Sequence, residues 1–167
     1  MYRKYGYGRK VCEKYAGKIS LKKSTCGIIC YLEDIRPDIF IPGTTKYTVS
    51  ELTELLGKEE KPIYVVVNEE DVCVGYAFCQ LQEQPFSTNM VPFKSLFIDD
   101  LCVDRQARGQ HIGERLFEYV KNEAERMGCY EVTLNVWAGN TSAEKFYEKM
   151  GMKTKERQME YILNQSL

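Results

Sequence analysis

The chain has 167 residues, 44% of them hydrophobic and 28% charged, with a net charge of −1. That length suits a single core at the usual about 100–200 residues per domain, and the composition excludes a disordered polar chain. The longest apolar runs, such as Cys26–Leu32, are far short of the roughly 20 residues of a membrane helix, and the basic opening has no leader-like apolar stretch, so a cytoplasmic protein is expected.

Residues 1–25 carry eight basic residues against the one acid Glu13, so the remainder of the chain is acidic. A basic arm of this kind serves either an anionic partner or a solvated face, and no stacking motif follows it. Neither nucleic acid nor membrane is therefore expected as a partner. The acidic body favours cationic substrates such as amines through long-range steering.

No clean period emerges until the loop Arg36–Tyr47, which is punctuated by Pro37, Pro42 and Gly43. Thr48-Val-Ser-Glu51 reads as a capping box opening a short helix with Leu52, Leu55 and Leu56 on one face, closed by Gly57. Ile63–Val67 and Val72–Leu81 read as a hairpin turned at Asn68–Asp71. Gln82–Lys94 is a loop, and Ser95–Val103 is a strand interrupted by two carboxylates. Ile112, Leu116, Phe117, Val120, Ala124 and Met127 mark an amphipathic helix ending at Gly128. Tyr130–Trp137 reads as a strand, Thr141–Met150 as a helix, and Met152–Leu163 as further extended chain. Strand, helix, strand, helix implies a right-handed crossover and one parallel strand pair beside the antiparallel hairpin.

Seven cysteines, an odd number, are spread without a paired spacing pattern, so reduced and mostly buried thiols are expected. The single histidine, His111, and the lone close pair Cys26 and Cys30 do not supply a zinc ligand set, so no metal is expected. Triad hydrolysis would have to use His111, whose place at a helix start does not suit it.

The turn Val103–Glu114 joins a strand to a helix. A helix N-terminus offers partnerless N–H groups and positive potential, Gly109 and Gly113 permit close approach, and Arg105 and Arg108 add charge. A phosphate cradle is the chemical reading; glycines that merely let a helix pack closely on a sheet are the alternative. Neither a Walker loop nor a G-x-G-x-x-G fingerprint is present.

QARGQHIG (Gln106–Gly113) resembles the Q/R-x-x-G-x-G/A pyrophosphate motif of the GCN5-related N-acetyltransferases, the GNAT superfamily. The strand SLFIDDLCV before it and NTSAEKFYEKMGM (Asn140–Met152) after it are similar to that superfamily's central strand and its N-x-x-A-x-x-F-Y-x-x-x-G-F signature. The resemblance covers residues 60–163, and His111 stands where the motif has its second small residue. It implies a single α/β N-acetyltransferase domain over residues 1–167, with residues 1–35 atypical. The GNAT acyl-CoA N-acyltransferase fold would be a mixed, mostly antiparallel twisted sheet of about six or seven strands with about four helices, splayed at a central parallel pair.

The implied cosubstrate is acetyl-CoA and the implied reaction is direct attack of a primary amine on the thioester. The acceptor would be a small-molecule amine, with a protein N-terminus or lysine as the alternative. A non-catalytic acyl-CoA-binding regulatory module is the further rival, and a homodimer is compatible with the reading. By the same resemblance, backbone groups of Leu101, Cys102 and Val103 would pair with pantetheine, one N–H there serving the oxyanion. Arg108, Gly109, Gln110, His111, Ile112, Gly113 and Glu114 would hold the pyrophosphate. Asn140 would contact the cofactor or cap the last helix. Tyr147 would protonate the leaving thiolate or pack in the core beside Phe146. Asp99 or Asp100 would take the amine's proton or attract the cation, and as neighbours on a strand they would face opposite sides of the sheet. Asn135, at another usual base position, cannot titrate.

Overall fold

Hydroxyl and carboxylate close the first helix as the capping-box pattern requires. In a computed structural model, which describes residues 34–42, 44, 46–83 and 88–163, Thr48 accepts from the Glu51 N–H while Glu51 accepts from the Thr48 N–H, opening α1 (Val49–Leu55). The basic arm, Cys12, Cys26 and Cys30 lie outside the described residues.

Strands buried on both faces then build the sheet. β1 (Ile63–Val67) and β2 (Cys73–Glu83) form the expected hairpin, and β3 (Lys94–Val103) continues antiparallel on β2. Ile63, Val67, Cys73, Tyr76 and Phe78 pack toward Leu52 and Leu56 of α1. The alternate residues Tyr64, Ala77 and Cys79 pack toward the opposite face. That face is covered by α2 (Ile112–Arg126) through Leu116, Phe117, Val120 and Ala124. Burial on both faces of β2 makes it the centre of the core.

The chain returns from α2 into β4 (Glu131–Leu134), which pairs parallel to β3, and then enters α3 (Thr141–Lys149). The sheet of described strands is mixed and ordered β1-β2-β3-β4. Among the described residues no helix is long and apolar enough to cross a membrane.

Three expectations need correction. β4 stops at Leu134, not Trp137, because the ladder ends at Ile98↔Leu134. Among the described residues Met152–Leu163 enters no ladder, and it is exposed beyond Met152; its polar run Lys153–Arg157 offers no alternating apolar face to bury. Cys73, Cys79 and Cys129 are free thiols, but Cys102 is disulfide-bonded, a pairing that depends on which sulfurs the fold brings together and not on spacing.

Gly75 sits opposite Val103 with room for nothing larger: a Cβ there would lie 3.1 Å from the carbonyl oxygen of Cys102. Gly75→Ala is expected to lower unfolding stability by about 1–3 kcal/mol through this backbone crowding, read as a shift in denaturant midpoint.

Candidate active site

β3 carries the irregularity around which the site is arranged. Phe78 of β2 pairs with Asp100 and Cys79 with Ile98, so Asp99 is an extra residue in the ladder, a β-bulge. The parallel ladder to β4 ends at Ile98, the residue before it, while β3 runs on to Val103.

The bulge overturns the expected placing of Asp99 and Asp100 on opposite faces. Tyr47, Phe78 and Tyr76 form one aromatic row on the α1 side, with ring centroids 5.4 Å and 4.9 Å apart. The Tyr47 hydroxyl lies 3.5 Å from Asp99, and the Tyr76 hydroxyl donates to Asp100 at 3.3 Å. One unpaired residue shifts side-chain parity, and both carboxylates meet the same row.

Lys46, from the loop before α1, pairs with Asp99. Burial raises the Tyr47 pKa, and the charges of Asp99, Asp100 and Glu51 raise it further. Burial likewise raises Tyr76, seconded by Asp100. A shallow recess beside this pair is lined by Tyr47, Leu55, Ile63, Phe78, Gln80 and Asp99. Lys46 and Tyr47 escaped the sequence reading, since a loop lysine gives no periodic or motif signal.

At the far end of β3, Asp104 caps a single 3₁₀ turn (Arg105–Ala107) by accepting from the Gln106 N–H at 3.0 Å. The chain then passes through Gly109 at φ +78° and His111 at φ +58° into α2. The motif's preference for a small residue at the His111 position has a physical basis here, because left-handed backbone is costly for a side chain with a Cβ. His111 tolerates it with its ring mostly exposed and Nδ1 3.1 Å from Glu114. It makes no side-chain cap, so α2 begins without a side-chain acceptor on its first N–H groups from that residue. Hydrogen bonding from Lys149 first, then His111, lowers the Glu114 pKa. Ile112 is buried, Gln110 is exposed, and Arg108 donates from Nε toward the Val103 carbonyl at 3.4 Å.

One observation leaves the turn room for an anionic cofactor phosphate. A Cβ on Gly109 would meet nothing within 4 Å, leaving open space over the turn. The Phe146 ring stands 3.4 Å from where a Gly113 Cβ would project, so at Gly113 the close-packing reading of the glycine holds. α3 supplies that ring. Asn140 caps α3 by accepting from the Ala143 N–H at 3.1 Å, so the cap reading of Asn140 holds.

Tyr147 is half-buried on the α2-side cluster, its ring centroid 6.0 Å from that of Phe117 and 5.0 Å from that of Phe146. Burial raises its pKa, and Asp100 and Cys79 add to the shift. Cys102 is buried within β3, whereas Leu101 and Val103 are half-buried. Asn135 is exposed past the end of β4. Among the described residues no group of three or more His, Cys, Asp and Glu side chains is placed to hold a metal ion.

A mixed sheet whose parallel pair ends just before a bulge, with a glycine turn at a helix start beyond it, defines an α/β protein. The chain belongs to the acetyltransferase (GNAT) family, whose model matches residues 29–152. It is 38% identical over 66 residues to the glucosamine 6-phosphate N-acetyltransferase of Arabidopsis thaliana, covering 40% of this chain and 42% of that one. It is 32% identical over 110 residues to the peptidyl-lysine N-acetyltransferase YjaB of Salmonella typhimurium, covering 65% and 63%. The chain thus matches under two thirds of the length of either relative. Among solved structures, a mutant of the BH1408 protein from Bacillus halodurans superposes with TM-score 0.81 at 24% identity, over 98% of this chain and 99% of that one, which establishes the GNAT fold.

Gly109 is required for its backbone and not for space. Gly109→Ala is expected to cost about 1–2 kcal/mol and Gly109→Asn less, since Asn tolerates left-handed backbone; thermal unfolding of both variants tests the order.

Proposed function

We propose that the protein is an acetyl-CoA-dependent N-acetyltransferase that acetylates a primary amine by direct attack. The observation that carries this is the coincidence at Asp99: the strand pair parts at the residue that sets two carboxylates on one face, and the glycine turn stands at the end of the same strand. Family membership supports the acetyl-CoA dependence.

Acetyl-CoA supplies an activated acetyl thioester. In this reading the backbone of Leu101, Cys102 and Val103 aligns the pantetheine arm, because β3 continues for five residues after its ladder with β4 has stopped. A fixed N–H of Leu101 or Cys102 aimed at the carbonyl oxygen stabilises the charge that develops there. Arg108, Gly109, Gln110, His111, Ile112, Gly113 and Glu114 receive the pyrophosphate on the N-terminal N–H groups of α2. The His111 ring lies beside Glu114, which leaves the space over Gly109 open. Asn140 uses its oxygen for the cap, so its amide nitrogen is the group that faces the cofactor.

Asp99 and Asp100 attract the ammonium of the acceptor and relay the proton it loses. Tyr147 gives its phenolic proton to the departing sulfur. The acceptor is a small-molecule primary amine: Asp99, 3.5 Å from the Tyr47 hydroxyl, and Asp100, bonded by Tyr76, put negative charge on one face, and the Arabidopsis relative is named for an amino sugar phosphate.

Release of free thiol from acetyl-CoA over a panel of amines tests the reading, and failure to bind acetyl-CoA overturns it. Tyr147→Phe is expected to lower kcat by about 10²–10⁴ with acetyl-CoA affinity retained, a split read from kinetics and calorimetry. The pH profile carries a second expectation. The neutral phenol is the donor and its pKa is raised, so Tyr147 stays protonated beyond the ordinary tyrosine value. Turnover should then show no loss from this group up to pH about 10.

A further inference from the structure

The ammonium of Lys46 already occupies the place on Asp99 that the proposed function assigns to an acceptor amine. It comes from 53 residues away in sequence, so the fold, and not local geometry, brings it there. The Lys46 nitrogen is 5.7 Å from the Tyr47 ring centroid, and the Tyr47 hydroxyl faces the same carboxylate oxygen. Both partners are about one third exposed, at 35% and 31%, so solvent reaches the pair. Exposed pairs of this kind stabilise a fold by only about 0–1 kcal/mol, too little to make anchoring the loop their main effect.

Position gives the pair its chemical meaning. Asp99 is the bulge residue, and the proposed thioester lies along Leu101–Val103, two to four residues further at about 3.3 Å each. The flexible four-carbon stem of lysine reaches about the near end of that span, at Leu101. Lys121, Lys149 and Lys155 instead pair with Glu118, Glu114 and Glu131, on α2 and the start of β4. Among the described residues, Lys46 is the lysine paired with a carboxylate at the bulge.

We propose that Lys46 is an acetyl acceptor within its own chain, so that the protein acetylates itself at Lys46 Nζ. The proposal rests on the acetyltransferase reading above. The Lys46 ammonium gives one proton to solvent by way of Asp99, and the neutral amine forms a bond to the thioester carbonyl carbon. The carbon–sulfur bond breaks, the sulfur takes the Tyr147 phenolic proton, and Tyr147 recovers it from the second proton that leaves the nitrogen. One ammonium and one acetyl thioester become one N-acetyl-lysine, one thiol and one released proton. The product carries no charge, so Asp99 loses its internal cation.

The test is incubation of the full chain with acetyl-CoA, followed by intact mass measurement and peptide mapping, with calorimetric binding of acetyl-CoA recorded on the same samples. The expected result is one acetyl increment mapped to Lys46, formed at a first-order rate that dilution of the protein does not change. Lys46→Arg should take no increment at that position. Tyr147→Phe and Asp99→Asn should each slow the modification at least about tenfold. Acetyl-CoA binding with no increment at Lys46 overturns self-acetylation and leaves the acetyltransferase reading standing. A rate that scales with protein concentration, or increments spread over many lysines and indifferent to Tyr147→Phe, does the same. Absence of acetyl-CoA binding overturns both.

Discussion

The site depends on one extra residue in one strand. Asp99 interrupts the pairing of β3 with β2, and the pairing of β3 with β4 ends at the residue before it. A bulge bends its strand and increases the local twist, which re-aims the side chains on either side. Burial on both faces holds it in register: Leu96 and Ile98 are buried toward α2, and Cys102 is buried toward α1. Leu101 packs on the same cluster as Ile98 despite an odd separation of three, which a regular strand forbids. The same slip turns Asp99 and Asp100 toward the aromatic row. A slip of pairing in either direction would bury a carboxylate in the apolar cluster, at a cost of several kcal/mol that about 5–15 kcal/mol of total stability cannot absorb.

Charge is divided along β3. At the bulge, Asp99 and Asp100 put negative charge beside Tyr47 and Tyr76, partly neutralised by Lys46 at Asp99. At the strand's end, Arg105, Arg108 and the start of α2 make a positive region. Glu114 sits in the first turn of α2, but Lys149 and His111 engage its carboxylate and limit its opposition to an incoming anion. Tyr147 is half-buried against Phe117 and sensitive to the charge of Asp100. A cationic acceptor and an anionic donor approaching from these two sides would meet where β3 leaves β4.

Elements whose signals are local were legible in the chain. The capping box at Thr48, the hairpin of β1 and β2, α2 closed at Gly128 and α3 opened by Asn140 all follow from short-range hydrogen bonding and apolar periodicity. The glycine turn and the family signature were legible too, because left-handed backbone at a helix start and a family motif both call for particular residues at fixed spacing. Parity in β3 was partly legible. The step from Ile98 to Leu101 in SLFIDDLCV breaks the period of two, a pattern that a strict alternation reading passes over.

Residue order alone therefore determined the family, the strand–helix alternation and the glycine turn at the start of α2, all carried by signals a few residues apart. The tertiary structure decided where β4 stops, which face each aspartate takes, that Cys102 is disulfide-bonded and that Lys46 and Tyr47 stand at Asp99. Those outcomes depend on packing between segments tens of residues apart, where burial of the core sets the geometry and no local propensity records it.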